Sequence, residues 1–199
     1  DDVIKFISSI SPMYPKIEFQ GGEPLLAHRF IRLFIERASI ELSDKNPSFV
    51  ICSALGQYPE EFISWCRDKN VSFSVSLDGD KSVHDRNRKS IYPSSYDQIS
   101  RNMERLRNEI GSERISCIAT VSRYGLDFPD EMLREYVARG FNRVFFRPLS
   151  PFGFAVKQVE EKLYSVDEYF DFYRRSLAAI LTINNETDFV DEMTLIYLR

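Results

Sequence analysis

Two glycines and a glutamate end a strand-like segment, in the run Phe19-Gln20-Gly21-Gly22-Glu23-Pro24. Glycines at such a point allow a tight turn and let a ligand approach the backbone where a Cβ would block it. A carboxylate beside a helix N-terminus is stabilised in its charged form and can accept hydrogen bonds from an ammonium group. The same run also fits an ordinary strand-to-helix turn with an acidic first helical turn, and the spacing leaves both interpretations open.

A second polar group follows the run Ser76-Leu77-Asp78-Gly79, which closes another strand-like segment. Ser76 and Asp78 are two residues apart and therefore lie on one face of a strand. Carboxylates and an imidazole could bind a divalent metal, as in a metal hydrolase. The residues that this interpretation would use are Asp78, Asp80, His84 and Asp85. The alternative is an Asp-Gly turn before a solvated loop, and we predict no metal site because no second histidine supports one.

An arginine lies in the last apolar strand-like segment, within Phe145-Phe146-Arg147-Pro148-Leu149. An unpaired cation in such a segment is costly, so Arg147 needs a partner. That partner is either the carboxylate of a ligand or an internal aspartate or glutamate. The sequence does not distinguish the two.

Strand-like and helix-like segments alternate along the chain. The predicted strands, which are mostly apolar nearly throughout, are Lys16–Gln20, Ser48–Ser53, Val71–Leu77, Ile115–Val121 and Arg143–Leu149. Alternation of this kind predicts right-handed crossovers and a parallel sheet, either open or closed into a barrel. Parallel α/β folds place their sites at the carboxyl ends of the strands, where the three polar groups occur.

The helices between these strands carry start signals and apolar stripes. Pro24 is suited to begin a helix through Leu42. Its apolar stripe would consist of Leu26, Phe30, Leu33 and Phe34. Ser95 with Gln98 forms a capping box before a stripe of Ile99, Met103, Leu106 and Ile110, and Ser165 with Glu168 forms another. We expect one domain over residues 1–199, with core strands at about 16–149 and C-terminal helices at about 166–199.

Composition restricts the class of protein. The 199 residues are 43% apolar and 28% charged, which excludes a disordered or collagen-like chain. A net charge of −4 argues against nucleic acid or an anionic membrane as a partner. No apolar run is long enough to cross a bilayer, so we expect a soluble protein, and the cysteine content is typical of a reducing cytoplasm. Cys52, Cys66 and Cys117 match no metal-ligand spacing and are expected to be core side chains.

The motifs in this order resemble those of radical S-adenosylmethionine (AdoMet) enzymes. Gln20-Gly21-Gly22-Glu23-Pro24 is similar to the family's Gly-Gly-Glu-Pro motif. Ser76-Leu77-Asp78-Gly79, followed by His84-Asp85 and Arg88, resembles a signature of the SPASM-type branch, which includes sulfatase maturases and other peptide maturases. The run from Arg147 to Gly153 is similar to a stretch in the maturase of the His-Xaa-Ser peptide system.

This resemblance implies a partial six-stranded (β/α) barrel and an AdoMet site. Gly21, Gly22, Glu23 and Pro24 would hold the amino end of the cofactor. Ser76 and Asp78 would lie near its ribose or carboxylate, Arg88 would order the loop or the carboxylate, and the backbone at Leu149 would approach the adenine. The enzyme would use a 5′-deoxyadenosyl radical to modify a peptide or protein.

One departure from the family concerns its [4Fe-4S] cluster, which is held by a C-x3-C-x2-C motif upstream of the Gly-Gly-Glu-Pro strand. The three cysteines do not form that motif. We therefore expect a piece of a longer enzyme that lacks the first strand and the cluster loop, has no cluster and is inactive by itself. The alternatives are a non-catalytic scaffold or binding barrel that keeps part of the cofactor pocket, and the divalent-metal hydrolase. The substrate, the general acid or base, auxiliary clusters and oligomeric state are not specified by the sequence.

Overall fold

The computed structural model of the chain describes residues 2–10, 13–89, 93–150 and 163–197. Helices and strands alternate, as the periodicity predicts. The α-helices are α1 (Asp2–Ile10), α2 (His28–Glu41), α3 (Glu60–Asp68), α4 (Lys81–Asn87), α5 (Ser95–Ile110), α6 (Pro129–Ala138), α7 (Val166–Ile183) and α8 (Glu192–Tyr197). The strands are β1 (Lys16–Phe19), β2 (Ser48–Ser53), β3 (Ser72–Ser76), β4 (Ile115–Val121), β5 (Arg143–Pro148) and β6 (Val190–Asp191). Short 3₁₀ helices span Pro24–Ala27, Ser43–Lys45 and Ser112–Arg114.

The strands of the described ranges form one sheet in chain order, from β1 to β6. Pairing is parallel between β1 and β2, between β4 and β5 and between β5 and β6. Because β1 and β6 are at opposite ends of this order, the sheet is open. The predicted α/β class with parallel strands is confirmed.

The chain divides into two compact units. The first contains Asp1–Ser74 and Glu104–Ile115, and the second contains Val75–Met103 and Ser116–Arg199. Apolar side chains of α2, β2 and α3 form the core of the first unit, and they include Ile31, Ile35, Phe49, Ile51, Phe62 and Ile63.

The core of the second unit is aromatic on the helical side of β5. The Phe146 ring lies 5.3 Å from that of Phe172 in α7 and 6.4 Å from that of Tyr136 in α6. The Tyr136 hydroxyl donates to the Leu77 carbonyl oxygen at 2.9 Å. All three rings are fully buried, so this face of β5 is covered by helices.

The apolar stripe predicted for α2 is not the buried face of that helix. Leu26, in the 3₁₀ helix before α2, is 80% exposed, Phe30 is 63% exposed and Leu33 is also exposed. Phe34, the fourth residue of the predicted stripe, is half-buried. The buried face consists of Ile31, Ile35 and Ala38. Both sets have helical spacing, so periodicity detected an apolar face without identifying which of the two is covered. The stripe predicted for α5 (Ile99, Met103, Leu106 and Ile110) is confirmed as buried.

Two short elements differ from the sequence-based expectation, and so does one helix start. Lys81–Asn87 forms α4 inside the segment expected to be a polar loop, and Val190–Asp191 forms β6 inside the segment expected to be helical. Elements this short give too few residues for a periodic signal. Pro24 begins a 3₁₀ helix, and the α-helix starts four residues later at His28. Within the described residues, none of the helices has the length and hydropathy of a membrane span.

Candidate functional site

The Gly21-Gly22 turn has a backbone conformation that favours glycine. The φ angle is +93° at Gly21 and +54° at Gly22, both in the region that L side chains rarely adopt. A Cβ at either position would meet no atom within 4 Å. The turn therefore favours glycine for its conformation, and the space beside it is open to a bound group.

Glu23 follows this turn and has a fixed carboxylate. Its Oε1 atom accepts hydrogen bonds from the Leu25 amide at 3.1 Å and from the Ser53 hydroxyl at 2.7 Å. Its Oε2 atom accepts from the Ala54 amide at 3.0 Å. The carboxylate thus caps the 3₁₀ helix and joins the end of β1 to the end of β2 within the first unit.

These bonds leave Glu23 able to bind a cation. An ionised carboxylate offers about four acceptor positions, of which three are used here. Glu23 is half-buried, so the remaining position can be reached from solvent. Ser53, which the sequence did not single out, is buried and also accepts from the Leu55 amide at 2.9 Å. The arrangement orients Glu23 before any ligand arrives and suits an ammonium group.

Asp78 lies in the second unit, at the end of β3, and is only 1% exposed. Arg88 donates to both of its oxygens, from Nε at 2.8 Å and from Nη2 at 3.1 Å. The Thr120 amide donates to Oδ1 at 2.9 Å, and the Asn87 side-chain amide donates to Oδ2 at 3.3 Å. The carboxylate thus accepts four hydrogen bonds, which use all of its acceptor positions. It therefore joins β4 to the loop that carries Arg88.

Arg88 keeps hydrogen-bonding capacity beyond this pair. Burial disfavours its charge, but the adjacent Asp78 carboxylate outweighs burial and raises the pKa of Arg88. The Arg88 side chain is 29% exposed, and the described residues place no acceptor on its Nη1 atom. Arg88 is therefore a charged, oriented group with one nitrogen available to a ligand.

His84 fixes the loop that carries Asp78 and Arg88. Its Nδ1 atom accepts from the Asp78 amide at 3.1 Å, and the ring is 1% exposed. Burial lowers the pKa of His84 to about 4, opposed by the nearby Asp78 charge. The imidazole is thus neutral at pH 7, with its proton on Nε2.

The other acidic residues of this loop also have local partners. Asp80 caps α4 by accepting from the Val83 amide at 3.0 Å. Asp85 accepts from Ser94, Ser95 and the amide of Tyr96 at 2.8–3.0 Å. Among the residues that the structure describes, no group of three or more His, Cys, Asp or Glu could hold a metal ion. This geometry gives the metal-hydrolase interpretation no support.

The remaining predicted site residues lie at the ends of β3 and β5. Ser76 is half-buried, on the same face of β3 as Ser72 and Ser74. The Leu149 amide donates to the Tyr164 hydroxyl at 2.7 Å, and that hydroxyl donates to the Val121 carbonyl at 2.9 Å. The Leu149 N–H is therefore already bonded within the protein, so an adenine contact at Leu149 would use another backbone atom or replace Tyr164. Pro151 to Gly153 of the matched run lie outside the described residues.

Three stacked tyrosines connect α7 and the segment before it to the strand ends. The Tyr164 and Tyr169 rings are 5.9 Å apart, and the Tyr169 and Tyr173 rings are 6.0 Å apart. Tyr169 donates to the Phe146 carbonyl at 2.8 Å, and Tyr173 donates to Asp191 of β6. Together with the Tyr164 bonds, these contacts fix the carboxyl ends of β4, β5 and β6. The sequence pattern placed the aromatic residues in a helix but did not reveal their contacts.

The cysteines do not fit an iron–sulfur cluster. Cys66 and Cys117 are buried, and burial raises the pKa of the Cys66 thiol to about 12 and also raises that of Cys117. Cluster ligation needs thiolates, which burial of this kind disfavours. Cys52 is half-buried in β2 and belongs to no ligand group in the described part of the chain.

Comparison with known proteins gives one sequence relative and several structural ones. No protein-family model matches the sequence. An uncharacterized protein of Methanothermobacter thermautotrophicus is 28% identical over 154 residues, which cover 77% of this chain and 56% of that protein. The chain thus spans little more than half the length of this relative.

Solved structures share the fold over nearly the whole chain. The structure of anSMEcpe with bound AdoMet and Kp18Cys peptide has a TM-score of 0.75 at 16% identity, over 95% of this chain and 52% of that one. SuiB of Streptococcus suis has a TM-score of 0.63 at 13% identity, over 88% of this chain and 39% of that one. SuiB bound to the precursor peptide SuiA has a TM-score of 0.62. At these identities the likeness establishes the fold, which is the predicted partial barrel with an open parallel sheet.

Proposed function

We propose that this chain is the core of a radical AdoMet enzyme that modifies a peptide or protein, as a SPASM-type maturase similar to the sulfatase maturases. The observation that carries the proposal is the fold shared with anSMEcpe, a protein solved with AdoMet and a peptide. The Gly-Gly-Glu turn at the end of β1 supports it independently, because its open space and oriented carboxylate suit an amino acid's ammonium group. A closer relation to the His-Xaa-Ser maturase rests on the sequence run alone.

In this proposal the residues of the chain bind and orient AdoMet, which supplies the radical chemistry when a reduced cluster is present. Glu23 accepts from the ammonium group, and Gly21 and Gly22 let the ligand reach the backbone. Ser76, Arg88 and the backbone at Leu149 stay predicted contacts. Asp78 acts through Arg88 rather than on the ligand, because its own oxygens are saturated.

The three cysteines do not fit the cluster, so no chemical step is assigned to residues of this chain. We expect these 199 residues alone to be inactive, and the enzyme's activity must be tested on the full-length protein.

The test is the formation of 5′-deoxyadenosine. Full-length protein, treated anaerobically with iron and sulfide and reduced with dithionite, should convert AdoMet to 5′-deoxyadenosine, measured by liquid chromatography and mass spectrometry. Glu23→Gln should lower the rate at subsaturating AdoMet by about 10- to 100-fold, because a charge-assisted hydrogen bond is worth about 1.5–3 kcal/mol.

Glu36→Gln is the matched control, since Glu36 lies on α2 and pairs with Arg32 at the surface. That variant should retain the parental rate. No 5′-deoxyadenosine from the reconstituted parent protein would instead favour the non-catalytic scaffold. Equal rates for the Glu23 and Glu36 variants would show that Glu23 does not bind the cofactor.

A further inference from the structure

Arg147 lies on the face of β5 opposite to the one that packs against α6 and α7. Val144 and Phe146 are fully buried on the helical face, whereas Phe145 and Arg147 alternate with them and are half-buried. Side chains two residues apart share a face of a strand. Phe145 and Arg147 therefore form a short amphipathic patch near the carboxyl end of β5.

The charge of Arg147 is not neutralised by the described residues. Its guanidinium lies 6.0 Å from the centre of the Phe145 ring, at the outer limit of a cation–π contact. No ion pair or hydrogen bond joins it to another described residue. Arg139 and Arg143, in contrast, pair with Glu135 and Glu192. A half-buried guanidinium without an acidic partner has lost hydration that an anion would restore.

The neighbouring strand adds a hydroxyl group and a second arginine. Thr120 of β4 is paired in register with Arg147 of β5, so the two side chains lie on one face. The Thr120 hydroxyl oxygen is 3.5 Å from Nη2 of Arg88. Asp78 pairs with Arg88, and no ion pair joins it to Arg147.

We propose that Arg147 is a specificity residue that binds a carboxylate on the peptide substrate, an inference that rests on the proposed function. A planar guanidinium matches a carboxylate by two parallel hydrogen bonds. Arg88, oriented by Asp78 and with Nη1 available, is the candidate for the cofactor's own carboxylate. Arg147 is then available to bind a second carboxylate, that of the peptide. Phe145 beside it can make an apolar contact with the same peptide.

The experiment titrates the full-length protein with two small probes and follows the Nε–H resonance of Arg147 by NMR. The first probe, N-acetyl-L-glutamic acid α-amide, carries one side-chain carboxylate, and the second, N-acetyl-L-glutamine amide, is its neutral isostere. We expect a saturable shift of the Arg147 resonance with the acid alone. Arg147→Gln should weaken binding of the acid about 10- to 100-fold, and Arg147→Lys should weaken it less.

Arg134 is the control because it is exposed on α6 and pairs with Glu131; Arg134→Gln should leave the affinity unchanged. A parallel calorimetric titration with AdoMet should give the same affinity, within about twofold, for the parent and for Arg147→Gln. A tenfold loss of AdoMet affinity would assign Arg147 to the cofactor and overturn the proposal, as would the absence of a shift with the acid.

The two proposals fail in different ways. If the parent protein forms no 5′-deoxyadenosine while the Arg147 shift is seen, the proposed function is wrong and the carboxylate site stands as a binding site. If 5′-deoxyadenosine forms and no shift is seen, only the role of Arg147 is wrong.

Discussion

Asp78→Ala should lower the free energy of unfolding by about 3–5 kcal/mol, measured by urea denaturation at pH 7. The substitution removes both hydrogen bonds that hold Arg88 and leaves the Thr120 amide without its acceptor. Removing one partner of a buried pair is costly because the other charge stays desolvated. Arg88 is 29% exposed, so solvent can recover part of this cost, and we expect the lower half of the range.

Two further variants isolate the cause. Asp97→Ala removes a carboxylate that pairs with Lys81 at the surface, and it should leave the free energy of unfolding nearly unchanged. Adding Arg88→Met to Asp78→Ala should recover part of the loss, because the unpaired charge is then gone. A loss below about 1 kcal/mol for Asp78→Ala, or no recovery in the double variant, would mean that the pair does not hold this loop.

The protein should become less stable as the pH falls from 7 to 4, and His84 should contribute about 3 kcal/mol of that loss. Burial lowers the pKa of His84 from 6.5 to about 4, opposed by the neighbouring Asp78 and Asp85 charges. The unfolded chain therefore binds a proton near pH 6.5 that the folded protein takes up only near pH 4. The stabilisation is complete above pH 6.5 and is lost as the pH falls towards 4, at about 1.36 kcal/mol per pH unit.

His84→Asn measures this contribution. The asparagine side-chain oxygen can take the place of Nδ1 as acceptor for the Asp78 amide, but the side chain does not titrate. The unfolding free energy of the parent minus that of the variant should fall by about 3 kcal/mol between pH 7 and pH 4. Contributions from the other ionisable groups are common to both proteins and cancel in the difference. Profiles that stay parallel would show that His84 has an ordinary pKa.

Local signals predicted much of the fold. The capping box at Ser165 and Glu168 is present, with both of its hydrogen bonds. The Gly21-Gly22 turn is present in the structure. Most predicted strand boundaries agree with the structure to within one residue. These features are determined by residues that are close together in the sequence, so the sequence alone can predict them. Periodicity failed where it was ambiguous: residues 25–42 carry two apolar stripes, and the one that contains Leu26, Phe30 and Leu33 is exposed.

The site depends on contacts between residues that are distant in sequence. Glu23 is oriented by Ser53 and Ala54, about 30 residues away, and no motif links them. The motifs indicated Asp78 and Arg88 as site residues but did not predict that they bind each other. Because of this pair, Asp78 orients Arg88 and has no acceptor position left for a ligand. For Arg147 the sequence left an internal acidic partner open, and the described residues do not supply one.

The most direct test of the central claim compares AdoMet with its 2-oxo analogue, in which a ketone replaces the amino group. If Glu23 binds the ammonium group, full-length parent protein should bind AdoMet about 10- to 100-fold more tightly than the analogue in a calorimetric titration. In Glu23→Gln this preference should fall to about twofold or less. Equal affinity of the parent protein for the two ligands, or an undiminished preference in the variant, would contradict the account.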